Sequence, residues 1–277
     1  MTLVNLASVL ADARRAGRGL AAFNVIQLEH AEAYAAAAER TGLPVVMQIS
    51  ENCVRYHGSL APVAAATLAV ARACSQPVVV HLDHAEDVDL VEEAVRLGLT
   101  SVMYDGSTLP DEANRAQTRR VVELCHAEGV SVEAELGEVG GKDGVHAPGA
   151  RTDPADAARF VDETGVDALA VAVGSSHAMT DRTASLDTDL IAALRDSVPV
   201  PLVLHGSSGV PDDGLVAAVR AGMTKVNIAT HLNQVFTRAM LARLDESRTV
   251  DTRKYLGAAR DAVTDEAARL LLLLARP

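Results

Sequence analysis

His84, His177 and His205 each close a short apolar run of the chain: Val-Val-Val-His-Leu-Asp before His84, Ala-Val-Ala-Val-Gly-Ser-Ser before His177 and Leu-Val-Leu before His205. Three imidazoles converging from separate strand ends supply three protein ligands and leave a fourth position open, which is how a catalytic zinc is held. A lone strand-end histidine is more often simply hydrogen-bonded. The recurrence at three equivalent places is what points to a metal. The remaining histidines lack this pattern. His30, His57, His126, His146 and His231 fall in helix-like or loop-like stretches, and His81 alternates with Asp83 on one strand face, where it can support the site.

Carboxylates gather at the same strand ends. Asp83 adjoins His84 and reads either as an acid/base group beside the metal or as a carboxylate that orients a histidine. Asp105 closes another run, and Glu133 and Glu135 share one strand face by two-residue alternation. Buried carboxylates need partners, so packing alone does not explain them. Asp105 and Glu135 can orient ligands or hold an alternative metal position. The turn His205-Gly-Ser-Ser-Gly209 offers close backbone approach, N–H donors and two hydroxyls. With the neighbouring stretch Asn227–Thr230 it reads as a phosphate cradle of the kind built after the last two strands of a barrel.

The elements that must position these groups are legible as an alternation. Eight apolar, β-rich runs occur: Leu20–Ile26, Val45–Ser50, Val78–Asp83, Ser101–Asp105, Ser131–Leu136, Ala168–Val173, Leu202–His205 and Lys225–Ala229. Their nearly continuous apolar character suits parallel strands buried on both faces. Between them lie stretches with helical spacing, such as Val88–Leu97. Pro62, Asp111, Pro154 and Pro211 signal helix starts; Gly17, Gly42, Gly98, Gly129, Gly165 and Gly222 signal helix ends. Eight βα units in 277 residues predict a single α/β domain over 1–277, a closed (β/α)8 (TIM) barrel with extra terminal helices. A Rossmann-like open sheet would need a GxGxxG turn after an early strand, and none is present.

Bulk composition narrows the function classes. Hydrophobic residues are 49% and charged residues 22%, an ordinary globular balance. A net charge of −12 opposes a nucleic-acid backbone, and 3% aromatics without tryptophan argue against base stacking. The longest apolar run, Leu270–Ala275, is too short to span a bilayer and reads as the buried face of a terminal helix or an oligomer contact. Three cysteines, Cys53, Cys74 and Cys125, form no CxxC pair and suggest a reducing cytoplasm.

HLDHA (81–85), VEAELGEVGG (132–141), VGSSH (173–177), LHGSSG (204–209), KVNIAT (225–230) and DTRKYL (251–256) resemble, in order, segments of the class II ketose-bisphosphate aldolases, over about Val4 to Val263. The resemblance implies a zinc-dependent aldolase, with zinc or another divalent ion on His84, His177 and His205, and room for a monovalent cation. It implies Asp83 as the acid/base at the C4 hydroxyl, and Glu135 and Asp105 at an alternative or second metal position. Gly174, Gly206, Ser208 and Thr230 match positions around the phosphate of dihydroxyacetone phosphate. Asn227 matches a triose contact; Asn24 and Ser50 lie toward the other half of the substrate. Arg253 resembles an arginine that reaches the distal phosphate, often from a neighbouring subunit, and a homodimer or homotetramer is implied.

Departures from the pattern bear on substrate. Gly140-Gly141-Lys142-Asp143-Gly144 stands one residue short of the family's loop, with Asp143 in the place of its glutamate. Ala178-Met179-Thr180-Asp181 replaces the glycine and lysine that usually follow the second zinc histidine, and Ala229 resembles tagatose-type members. Fructose or tagatose 1,6-bisphosphate is the expected ketose; a deoxy-keto-gluconate phosphate or a monophosphate also fits. A Schiff-base lysine is disfavoured, since Lys225 begins the eighth run at the wrong end for the site. A zinc hydrolase would not need the phosphate cradle. A non-catalytic zinc and sugar-phosphate binder is the reading that the altered GGKDG loop favours.

Overall fold

The structure, a computed structural model, describes residues 2–136, 151–175 and 181–276. A first helix, α1 (Leu6–Arg15), precedes the alternation β1 (Leu20–Asn24), α2 (Leu28–Thr41), β2 (Val45–Ser50), α3 (Glu51–His57), α4 (Ala61–Ala73), β3 (Val78–Ala85), α5 (Val88–Leu97), β4 (Ser101–Tyr104), α6 (Asp111–Ala127) and β5 (Ser131–Glu135). There follow α7 (Pro154–Thr164), β6 (Ala168–Ala170), α8 (Thr188–Ser197), β7 (Leu202–Leu204), α9 (Asp212–Ala221), β8 (Met223–Ile228), α10 (Thr230–Ser247) and α11 (Thr252–Ala275). Every neighbouring pair of strands is parallel, and β8 returns to β1, so the sheet closes. The architecture is the expected (β/α)8 barrel, with α1, the short α3 and the terminal α11 as its additional helices.

The eight strands fall where the apolar runs lie; β2 alone keeps both bounds, and the shifts of two or more residues are at β1, β3 (which runs on to Ala85), β6 and β8. β1 stops at Asn24 rather than Ile26. β6 stops at Ala170 rather than Val173, because Ala172 turns from the ladder to exchange hydrogen bonds with Thr152. β8 starts at Met223, two residues before Lys225, because Met223 already pairs with Leu202. The helix signals hold for local reasons. Gly42, Gly98 and Gly165 adopt the left-handed conformation that ends α2, α5 and α7 without a Cβ penalty. Pro154 opens α7, where its missing N–H costs nothing.

Two apolar layers hold the barrel. The outer one lies between strands and helices and includes Phe23, Met47, Leu82, Val102 and Phe160 with the buried faces of α2, α4, α9 and α11. The inner one is small. Leu20, Ala22, Val46, Val79, Met103, Ala168, Ala170 and Val203 fill the lower interior, and Leu6, Leu10 and Ala13 of α1 plug it from below. The spacing of those three residues puts them on one helix face. Above this plug the interior turns polar, so the open end lies at the carboxyl ends of the strands. Leu270, Leu271 and Leu274 are buried in α11, as expected of the terminal apolar run. Among the described residues no helix is long and apolar enough to cross a membrane, and Cys53, Cys74 and Cys125 are free and buried.

Candidate active site

The polar interior is built by strand alternation. Inward-facing positions carry Asn24 on β1, Gln48 and Ser50 on β2, His81 and Asp83 on β3, Ser101 on β4, Glu133 and Glu135 on β5 and Lys225 and Asn227 on β8. His205 stands just after β7. The register sets Gln48 beside His81 and Ser50 beside Asp83. His84 breaks the rule that successive side chains face opposite ways. It adopts φ +51°, the β3–β4 register shifts between Leu82 and Ala85, and its ring swings into the mouth beside Asp83. Such a conformation is uncommon for a residue with a side chain and marks a local bulge.

Two imidazoles meet at the mouth. Nε2 of His84 and Nδ1 of His205 lie 2.8 Å apart. The far nitrogen of each ring is held by a carboxylate: Nδ1 of His84 by Asp105 at 2.8 Å, Nε2 of His205 by Glu133 at 2.9 Å. Carboxylate–histidine pairs of this kind fix ring orientation at metal centres. Ligand atoms of Asp83, His84 and His205 all lie within 4.8 Å of one another, as do those of His84, Asp105 and Glu135. The electrostatics also suit a cation. His84 is raised to about 10: burial opposes its charge, but Asp83, Asp105 and Glu135 outweigh that. Asp105, buried but hydrogen-bonded to His84 and Ser107, stays well below the usual carboxylate range. The donor set therefore fits a divalent ion. His177 and Asp143 lie outside the described residues.

Asp83 is 3% exposed. Burial pushes its carboxyl up, against the pull of His84 and Lys225. Gln48 Nε2 donates to it at 3.3 Å and Asn227 Nδ2 at 3.5 Å, and Gln48 also donates to Asn24 at 2.7 Å. A cavity of about 150 Å³ opens here, lined by Asn24, Ser50, Asp83, His84, Ser208 and Asn227 among others. A second cavity of about 360 Å³ shares Ser50, Asn52 and His84 with it and continues past Glu51, Arg55, Glu86 and Asp105.

The Gly-Ser-Ser-Gly turn lies on the opposite wall. Gly206 takes φ +65°, and Ser207–Gly209 form a short 3-10 turn. Ser208 Oγ accepts the N–H groups of Ala229 and His231, at 3.3 and 3.2 Å. That ties the turn to the N-terminus of α10 and leaves the Ser208 hydroxyl proton to donate elsewhere. Gly206, Ser208 and Thr230 line the first cavity, beside the positive end of an 18-residue helix.

Most candidates converge. Asn24, Ser50, Asp83, His84, Gly206, Ser208, Asn227 and Thr230 line one cavity. Asp105 lines the second, Glu135 is buried beside His84 and Asp105, and Gly174 sits with φ +117° at the end of the β6 segment. Arg253 does not join them: it is 88% exposed at the start of α11 and paired with Asp251. Glu51, read with the end of β2, instead opens α3, pairs with Arg55 and accepts the N–H of Glu86. Gln48 was not singled out by sequence; its alternation with Ser50 is the signal that finds it. Lys225, expected at the wrong end, is fully buried in the interior and bonded to Glu133 directly beneath His205. A strand that begins two residues earlier places it one layer higher.

A closed parallel barrel whose carboxyl-end mouth holds imidazoles, carboxylates and a helix N-terminus defines a barrel of the enzyme type, with a donor set that fits a cation. The family model of class II fructose-bisphosphate aldolase matches residues 4–275. The chain belongs to that family and is an aldolase, a carbon–carbon lyase. It is similar in structure to the YdjI aldolase of Escherichia coli K12, with a TM-score of 0.87 and 30% identity over 98% of this chain and 97% of that one. A putative fructose-1,6-bisphosphate aldolase of Coccidioides immitis gives 0.86 and 27%, over 98% and 96%. The fructose-bisphosphate aldolase of Campylobacter jejuni shares the fold at 0.85 and 23%, over 98% and 95%.

Proposed function

We propose that this aldolase reversibly cleaves a phosphorylated ketose into dihydroxyacetone phosphate and an aldehyde, with a divalent cation, zinc in the simplest case, as cofactor. The observation that carries the reading is the grouping of Asp83, His84 and the Ser208–Thr230 wall in one cavity, with His205 against His84 and a carboxylate orienting each ring. His84 and His205 would hold the cation, with His177 as third ligand by resemblance. When bound, the cation supplies Lewis-acid stabilisation of the negative charge that develops on the triose oxygens.

The residues divide the remaining work. Gly206, Ser208 and the α10 N-terminus at Thr230 bind the triose phosphate, and Gly174 belongs with them by resemblance. Asn227, already donating toward Asp83, orients the triose next to the reacting carbon. Asp83 accepts the proton of the C4 hydroxyl as the C3–C4 bond breaks; the C4 oxygen becomes the aldehyde carbonyl, and the bonding pair passes to the triose enediolate. Condensation returns that proton. A raised Asp83 carboxyl is a better base than an ordinary one, which suits the task. Asp143 is proposed as the donor to the triose carbon. Asn24 and Ser50 face the aldehyde half. Arg253, exposed on its own subunit, is proposed to serve the site of a neighbour in a homodimer or homotetramer, and the cytoplasm is the proposed location.

The deciding assay is triose-phosphate release from fructose and tagatose 1,6-bisphosphates, with chelator and zinc add-back. Chelator-sensitive release supports the reading. Zinc-loaded protein that releases no triose phosphate from these or other phosphorylated ketoses refutes it.

A further inference from the structure

Lys225 and Glu133 are completely buried, and neither lines either of the two cavities described at the mouth. Lys225 Nζ donates to Glu133 Oε2 at 2.8 Å, and the other oxygen, Oε1, lies 2.9 Å from His205 Nε2. His205 Nδ1 then faces His84 Nε2 at 2.8 Å. The chain of contacts rises through the barrel interior from β8 to β5 to the end of β7. Small residues make room for it: Ala168 pairs with Glu133 in the ladder, and Ala170 follows on the same face.

A buried ion pair is a weak way to stabilise a core, because desolvation offsets the attraction. Its use here is directional. A carboxylate only accepts hydrogen bonds, so Glu133 requires the proton of His205 on Nε2 and turns the Nδ1 lone pair toward the mouth. Lys225 pairs with the other oxygen of that carboxylate in a dry interior, so that Glu133 is hydrogen-bonded on both sides. His81 takes no comparable part: its Nδ1 meets Ser101 Oγ at 2.8 Å, and its Nε2 stays 4.0 Å from Glu133.

We propose that Lys225 and Glu133 are positioning residues for the cation site, fixing the tautomer and ring orientation of His205 from beneath without touching substrate. The proposal rests on the reading of His205 as a cation ligand.

The test compares full-length wild type with Glu133→Gln, Lys225→Met and the double variant. Zinc dissociation constants are measured by competition with a chromophoric chelator, visible spectra are recorded with cobalt(II), and melting is followed without metal. Each single variant leaves one buried charge unpaired and lowers Tm. The double variant is expected to regain Tm yet bind zinc about 10- to 100-fold more weakly, with a displaced cobalt spectrum. A folded double variant with wild-type zinc affinity and cobalt spectrum would overturn the proposal. Nitrogen-15 correlation spectra of wild type, which need no variant, must show the His205 proton on Nε2; a proton on Nδ1 overturns it as well. Failure of wild type to bind either metal would instead sink the cation-site reading beneath it.

Discussion

Asp83 and His84 are consecutive in β3, yet both side chains enter the same cavity, because His84 takes φ +51° where the β3–β4 register slips. In a regular strand one of them would face the helices. The bulge therefore sets the proposed proton acceptor, Asp83, next to the proposed cation ligand, His84. Replacing Asp83 by Ala is expected to lower kcat by about 10²–10⁴-fold. Zinc stoichiometry should stay near wild type if His84 and His205 carry the ion. Steady-state cleavage assays and metal analysis on the same preparation check both halves.

Asp105 holds the far nitrogen of His84, as Glu133 holds that of His205. Asp105→Asn should weaken divalent-metal affinity by about 10- to 100-fold, measured by chelator competition. Activity should recover at saturating metal. Unchanged affinity would show that the His84 ring is held by its backbone bulge alone.

Ser208 accepts two backbone N–H groups at the α10 terminus. Ser208→Ala removes that acceptor and the hydroxyl facing the cavity. The expected result is a KM for phosphorylated substrate raised about 10-fold, equivalent to about 1.4 kcal/mol, with a smaller change in kcat. An unaltered KM would move the phosphate away from this turn.

Gly174 combines φ +117° with a neighbour that leaves no room: an added Cβ would lie 2.6 Å from the Ser185 carbonyl oxygen. Gly174→Ala should destabilise the fold by about 1–3 kcal/mol or more, read as a lowered midpoint in urea.

His30 is buried against Tyr34 and Phe236, and burial lowers its pKa from 6.5 to about 4. Between those values the unfolded chain binds a proton that the folded one refuses, so stability is complete above about 6.5 and falls as pH drops toward about 4. The loss attributable to His30 is up to about 3 kcal/mol. Denaturation of metal-free wild type and His30→Gln at pH 7 and 4.5 isolates it: the gap between the two proteins should shift in favour of the variant at low pH. A constant gap would refute this.

The amino-acid order alone carries the eightfold alternation, since burying a parallel strand on both faces demands an apolar run and each helix end demands its cap or glycine. It also carries most of the site, because function at a barrel mouth concentrates on residues that end those runs: Asp83, His84, His205, Asn227 and the Ser208 turn are all found there. Orientation is what it does not carry. Whether His84 faces the mouth or the helices depends on a bulge between two strands. Whether Lys225 is remote or lies beneath His205 depends on which residue starts β8. Gln48, Glu133 and Lys225 acquire their partners only when strands far apart in sequence close the barrel, since hydrogen bonds of 2.7–3.3 Å between them are set by register and not by sequence distance.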